Sequence, residues 1–173
     1  YFLELLLSGN EMVRIDAWRN IGDLIDKGVI TLDEARRMRC YFLELLASDV
    51  EDFRSDAWHE VDYLIYKGVI TLDEVKERKG YFLELLESEN KDVRSRAWDV
   101  VKDLIFKGII TRDDAPYFLE LLASEDEDLR SRAWDAVKDL IFKGIITRDD
   151  APYFLELLLS GNEMVRIDAW RNI

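Results

Sequence analysis

The 173-residue chain carries 37 acidic against 24 basic side chains, a net charge of −13, and is 49% hydrophobic. That charge repels nucleic acid and anionic membranes; the apolar content is too high for disorder, and two prolines and eight glycines are too few for an all-β chain full of turns. The lone thiol, Cys40, rules out an intrachain disulfide framework; there is no zinc-like Cys/His cluster, no apolar run near membrane length and no signal peptide in the opening Tyr-Phe-Leu-Glu, so a cytoplasmic chain without cofactor is expected.

The segment Tyr-Phe-Leu-Glu-Leu-Leu begins at Tyr1, Tyr41, Tyr81, Tyr117 and Tyr153. A period of 40 or 36 residues predicts a stacked array in which each unit buries its apolar face on its neighbours. The expected organisation is one array over 1–173, with repeats 1–40, 41–80, 81–116 and 117–152 and a partial repeat 153–173. Residues 81–116 and 117–152 agree at 31 of 36 positions, and 153–173 is identical to 1–21. Each unit holds two helical patterns.

In chain order, the first signal is Ser8 with Glu11 three residues on, the spacing of a capping box. Ser48–Glu51 and Ser124–Glu127 repeat it; Ser88 is followed by Lys91 instead. An amphipathic helix should follow, its apolar stripe running in the fourth repeat through Leu129, Ala133, Val137, Leu140 and Ile141. Lys-Gly at 27–28, 67–68, 107–108 and 143–144 should stop it with a left-handed glycine. The other pattern starts at Thr31, Thr71, Thr111 or Thr147, each with an acid three residues later. In the 40-residue repeats the run 31–47 should be nearly continuous helix. In the shorter ones Pro116 and Pro152 should force a brief turn and a fresh helix.

The segment Ser-Glu-Asp-Glu-Asp-Leu-Arg-Ser-Arg-Ala-Trp after Leu-Glu-Leu-Leu resembles the HEAT and armadillo repeat families. Their pattern of an apolar residue, Arg, two spacers and Ala stands at Val13-Arg14 with Ala17, Phe53-Arg54 with Ala57, Val93-Arg94 with Ala97, Leu129-Arg130 with Ala133, and Val165-Arg166 with Ala169. The Trp after each Ala departs from the family pattern. The resemblance implies an all-α, right-handed α-solenoid of stacked helical hairpins whose second helices line a concave, protein-gripping surface. No glutamine and 35% charged residues add the palette of an archaeal-type or engineered, thermostable version.

Five tryptophans, one per repeat, are expected to pack on the next hairpin rather than to stack on bases or sugars. Arg14, Arg54, Arg94, Arg130 and Arg166 project inside the apolar arc, where a lone charge is costly, so they should form a structural ladder to carboxylates or carbonyls. His59 has no second His or nucleophile beside it, and Cys40 aligns with Gly80 and Pro116, so no catalysis is expected. The basic cluster Arg36, Arg37, Arg39, Lys76, Arg78 and Lys79 reads as a solvated helix end.

Function is expected on the outer face of the second helix. One row there reads Asp26, Tyr66, Phe106, Phe142, and another Asp23, Tyr63, Asp103, Asp139, with Asp62 beside it. Aromatic anchors among charges are what binding faces use. Tyr63, Tyr66, Phe106, Phe142, Asp62, Asp103 and Asp139 are therefore the candidate partner-binding residues of a non-enzymatic scaffold for a protein or peptide, basic or of mixed charge. The alternative is self-association. The partial repeat stops within the pattern that unit one continues as Gly-Asp-Leu-Ile-Asp-Lys-Gly, and an uncovered apolar face stacks head to tail. A basic groove for nucleic acid is lacking, since this face holds Asp16, Asp56, Asp99 and Asp135 besides those above.

Overall fold

The computed structural model describes residues 1–173. Every regular element is helical, and there is no strand. The chain forms two compact units, Tyr1–Asp103 and Leu104–Ile173, with the division inside one helix.

The first unit comprises α1 (Phe2–Leu6), α2 (Glu11–Arg19), α3 (Ile21–Asp26), α4 (Leu32–Arg37), α5 (Arg39–Leu45), α6 (Glu51–Lys67), α7 (Leu72–Lys76), α8 (Lys79–Leu85) and most of α9 (Lys91–Phe106). Helix α2 packs on α1 of its own repeat and on α5 and α6 of the next, and α6 packs on α5 and α8. The second unit holds the end of α9, a 3-10 turn at Arg112–Asp114, α10 (Ala115–Leu121), α11 (Glu127–Phe142), a second 3-10 turn at Arg148–Asp150, α12 (Ala151–Leu158) and α13 (Glu163–Asn172). In it α10 packs on α11 and α12 on α13.

The stop signals act as their chemistry demands. Gly28, Gly68, Gly108 and Gly144 all take φ between 72° and 81°, where a Cβ is strained. The next residue then turns its N–H back to close the helix, as in Val29 N–H to Leu24 O (2.8 Å) and Ile145 N–H to Leu140 O (2.9 Å). This swings Ile30, Ile70, Ile110 and Ile146 into the core. Thr31, Thr71, Thr111 and Thr147 each form a reciprocal capping box with Glu34, Glu74, Asp114 and Asp150. Pro116 and Pro152 sit in the first turns of α10 and α12, directly after the 3-10 turns.

Three expectations are corrected. The second helices are not capped by serine: Asn10, Asp126 and Asn162 accept from two backbone N–H groups each, while Val50 precedes α6 without a side-chain bond. Ser8, Ser48 and Ser124 instead accept from the N–H of the cap residue itself, two positions on. The run 31–47 breaks at Met38, whose N–H closes a tight turn on Ala35 O (3.1 Å). The second helix of the first repeat breaks at Asn20, between α2 and α3. Asparagine is a weak helix former, and here the Asn20 side chain bonds Asp16 O at 2.8 Å while its N–H reaches Ala17 O.

In the first three repeats the indole ties the two helices together. Trp18, Trp58 and Trp98 donate Nε1–H to the carbonyls of Leu6, Leu46 and Leu86 at 2.9 to 3.0 Å, twelve residues back. Their rings face the following repeat, Trp18 lying 5.5 Å from Phe42 and Trp58 5.1 Å from Phe82. Trp134 lies 6.0 Å from Phe154, and its buried Nε1 has no partner. We expect Trp58→Ala to cost about 3–5 kcal/mol in urea unfolding. Trp58→Phe keeps a ring but orphans the Leu46 carbonyl, and should cost about 1–3 kcal/mol. A Trp58→Phe variant as stable as the wild type would remove the hydrogen bond from this account.

Candidate functional site

The five arginines share one anchor. Arg14, Arg54, Arg94, Arg130 and Arg166 each donate from NH1 to the carbonyl six residues back, at Ser8, Ser48, Ser88, Ser124 and Ser160, over 2.7 to 3.1 Å. The guanidinium thus pins the inter-helix turn to the helix that follows it. Three of them also meet a carboxylate of the next repeat: Arg14 at Glu44 (3.9 Å), Arg54 at Glu84 (3.6 Å) and Arg130 at Asp168 (2.6 Å). Arg130 is only 2% exposed, so its pairing is obligatory; a buried charge stripped of its partner costs several kcal/mol. Serines add a parallel link, Ser48 Oγ donating to Glu11 at 2.8 Å and Ser88 Oγ to Glu51 at 2.7 Å. The chemistry here is cross-linking between repeats.

The aromatic candidates fall in both units. In the first unit Tyr66 is 80% exposed, whereas Tyr63 is half-buried with its ring pressed on Gly22 of the preceding repeat, where a Cβ would overlap it. Lys67 lies over the Tyr63 ring (5.6 Å) and pairs with Asp26 at 2.6 Å. Tyr63 is therefore inter-repeat packing as much as surface, and Asp62 and Asp103 stay exposed. In the second unit Phe106 and Phe142 come together, ring centres 5.9 Å apart at 34°, with Lys143 Nζ 5.4 Å from the Phe106 ring. Phe142 is 79% exposed, and Asp139 on the same helix is half-buried.

Of the other sequence candidates, the basic cluster is partly spoken for. Arg36 Nε donates to Gly68 O and Arg39 Nε to Glu74, both at 2.8 Å, while Arg78 returns to Glu74 O at 2.6 Å. Arg36 and Arg39 thus clamp the first repeat to the second. In the second unit Arg112 makes a similar link, gripping Asp150 through two bonds of 2.7 and 2.8 Å. Cys40 is an exposed free thiol. No group of three or more His, Cys, Asp and Glu side chains is placed to hold a metal ion, and no helix is long and apolar enough to cross a membrane.

One cluster escaped the sequence reading. Asp56 lies between Arg96 (2.8 Å) and Arg19 (3.8 Å), with His59 and Glu60 beside it on α6. The signal was present as opposed charges in neighbouring helix columns, Asp16, Asp56, Arg96 against Arg19, His59, Asp99. Burial, then the nearby Arg96, holds the His59 imidazole below the ordinary histidine range, and burial pushes the Glu60 carboxyl up.

The sequence matches no family model and no curated protein. Among solved structures it is similar to an engineered protein from the Northeast Structural Genomics Consortium, at 16% identity and a TM-score of 0.48. That match covers 99% of this chain and 46% of the other, so the chain spans under half its length.

The depressed His59 pKa has a testable sign. The unfolded chain takes up the proton first as pH falls, so stability present above the ordinary histidine value is lost below it. Between about pH 7.5 and about pH 5.5 the wild type should lose urea stability that His59→Asn does not lose. A pH-independent gap between the two proteins would remove His59 from the account.

Proposed function

We propose that the chain is a non-enzymatic protein-interaction scaffold, a right-handed α-solenoid of HEAT-like hairpins that uses the outer face of its second helices. The observation that carries the reading is the Phe106–Phe142 pair, two large rings left in solvent on neighbouring second helices where a polar residue would cost nothing to hydrate. Lys143 and half-buried Asp139 frame it, giving the apolar centre and polar rim of a recognition patch. Within the first unit, the packing of α2 on α5 and α6 supports repeat stacking of the HEAT kind.

A net charge of −13 favours a basic or mixed-charge peptide and predicts that salt weakens binding. The test is fluorescence titration with a panel of helical peptides rich in lysine, arginine and leucine. Phe106→Ala with Phe142→Ala should weaken the best binder by at least about tenfold, as loss of an aromatic anchor does, without changing helicity. Equal affinity for the double variant would move the binding face elsewhere. If no peptide of the panel bound, the scaffold reading would fail for basic partners.

A further inference from the structure

The second helix of the first repeat breaks at Asn20, between α2 and α3. The equivalent residues Glu60, Val100 and Ala136 lie inside α6, α9 and α11, which run unbroken. Asparagine and glycine are both poor helix formers, so Asn20 and Gly22 do little to hold α2 and α3 together as one rod. At its other end α3 stops at Lys27, before the left-handed Gly28 (φ 72°). Ile21–Asp26 is thus a short rigid piece between two points at which the backbone turns.

What fastens this piece comes from the neighbouring helix. Helix α6 packs its length on α2, α5 and α8; toward α3 it presents two side chains. Tyr63 lays its ring on buried Gly22, in space that a Cβ would fill. One turn on, Lys67 lies over the same ring at 5.6 Å and reaches Asp26 at 2.6 Å. The corresponding pairs of residues farther along the sequence are Asp62 with Asp103 and Lys102 with Asp139. The missing side chain at 22 and the added ring at 63 therefore belong together, and they stand beside the helix that breaks. Ile21 is 1% exposed, so lifting α3 bares apolar surface and the closed form is the resting state.

We infer that α3 is a strap that opens and closes on α6 as a unit, hinged at Asn20 and at Lys27–Gly28, with the Tyr63 ring as its latch. Opening of this kind is sub-global: the strap lets go while α2 and α6 stay folded. It releases Tyr63 and Lys67 together, and it carries Asp23 and Asp26 away from the second-helix face. The strap uses contacts within the first unit alone, and it stands whether or not that face binds a partner.

Amide hydrogen exchange of the whole chain, resolved by residue, tests this without any added ligand. In the wild type the amides of α3 should exchange at least about tenfold faster than those of α2 and α6. Gly22→Ala gives the sharper reading. In an ordinary helix, alanine for glycine slows exchange because it favours the helical backbone. Here the added methyl meets the Tyr63 ring, so α3 should exchange at least about fivefold faster than in the wild type while α6 is unchanged. In a Tyr63→Ala background the ring is gone, and the same substitution should slow α3, the mark of two residues coupled through one contact. If Gly22→Ala does not keep the helical circular dichroism signal, Tyr63→Ala alone carries the test, and it should speed α3 and spare α6. A wild type in which α3 exchanges no faster than α2 and α6 overturns the strap. So does Gly22→Ala leaving α3 no faster while Tyr63 is present, or speeding it as much without the ring as with it. A variant that speeds α3 and α6 by the same factor overturns it too, since α3 then opens only with the rest.

Discussion

The indole of Trp18, like that of Trp58, makes two commitments at once, and the packing follows from their combination. Its N–H is tied to a carbonyl twelve residues back, which closes the turn between first and second helix in the repeats of Trp18, Trp58 and Trp98. Its face is thereby held outward, toward the phenylalanine of whichever repeat follows. A tryptophan held like this has no core of its own to retreat into, so burying its large area needs a neighbour. Trp134 shows the coupling in the second unit: its ring contact is looser, at 6.0 Å, and the N–H bond is absent as well. An orphaned buried donor costs free energy.

Charge is organised by the same repetition. An excess of acids would be expected to strain a compact fold, yet many carboxylates stand where positive potential is already present. Glu34, Glu74, Asp114, Asp150 and Asp126 accept N–H groups at helix starts, where the helix dipole favours an anion. Others answer the arginines, Asp168 on Arg130, Glu74 on Arg39 and Asp150 on Arg112. The exposed remainder is spread over first helices, turns and second helices alike, as at Glu44, Glu84, Asp113 and Asp103. The net charge of the chain is thus less a property of its core contacts than of its exposed surface.

Much of this was legible in the sequence because it is local. A glycine after a lysine, a threonine three residues before an acid, and a proline opening a helix each act within one turn of backbone, and the structure uses them as such. What the pattern concealed was competition among neighbours. Ser8 and Asn10 are both competent caps; the structure gives α2 to Asn10 and leaves Ser8 closing the turn before it. Glu11 then serves Ser48 of the next repeat, a bond that spacing within one repeat does not reveal. Tyr63 followed the same logic. Its column holds aspartate in the other repeats, so it read as surface, but Gly22 in the preceding repeat leaves a gap that admits its ring. Of the candidate site, the exposed rings of Tyr66, Phe106 and Phe142 were readable from helical phase alone, whereas the Arg19–Asp56–Arg96 cluster depends on which columns face each other.

The two identical 21-residue segments separate these contributions with unusual clarity. Composition, helix propensity and caps are the same in both, and the backbone answers in the same way, with the same cap and the same arginine bond. Every difference in burial between Trp18 and Trp170, or between Val13 and Val165, is therefore due to what lies alongside and not to the segment. The hairpin is written in its own residues, but its stability is not. The apolar side chains on each flank gain their hydrophobic stabilisation only when a repeat covers them. A sequence repeated in this way specifies a surface that matches itself when shifted by one unit.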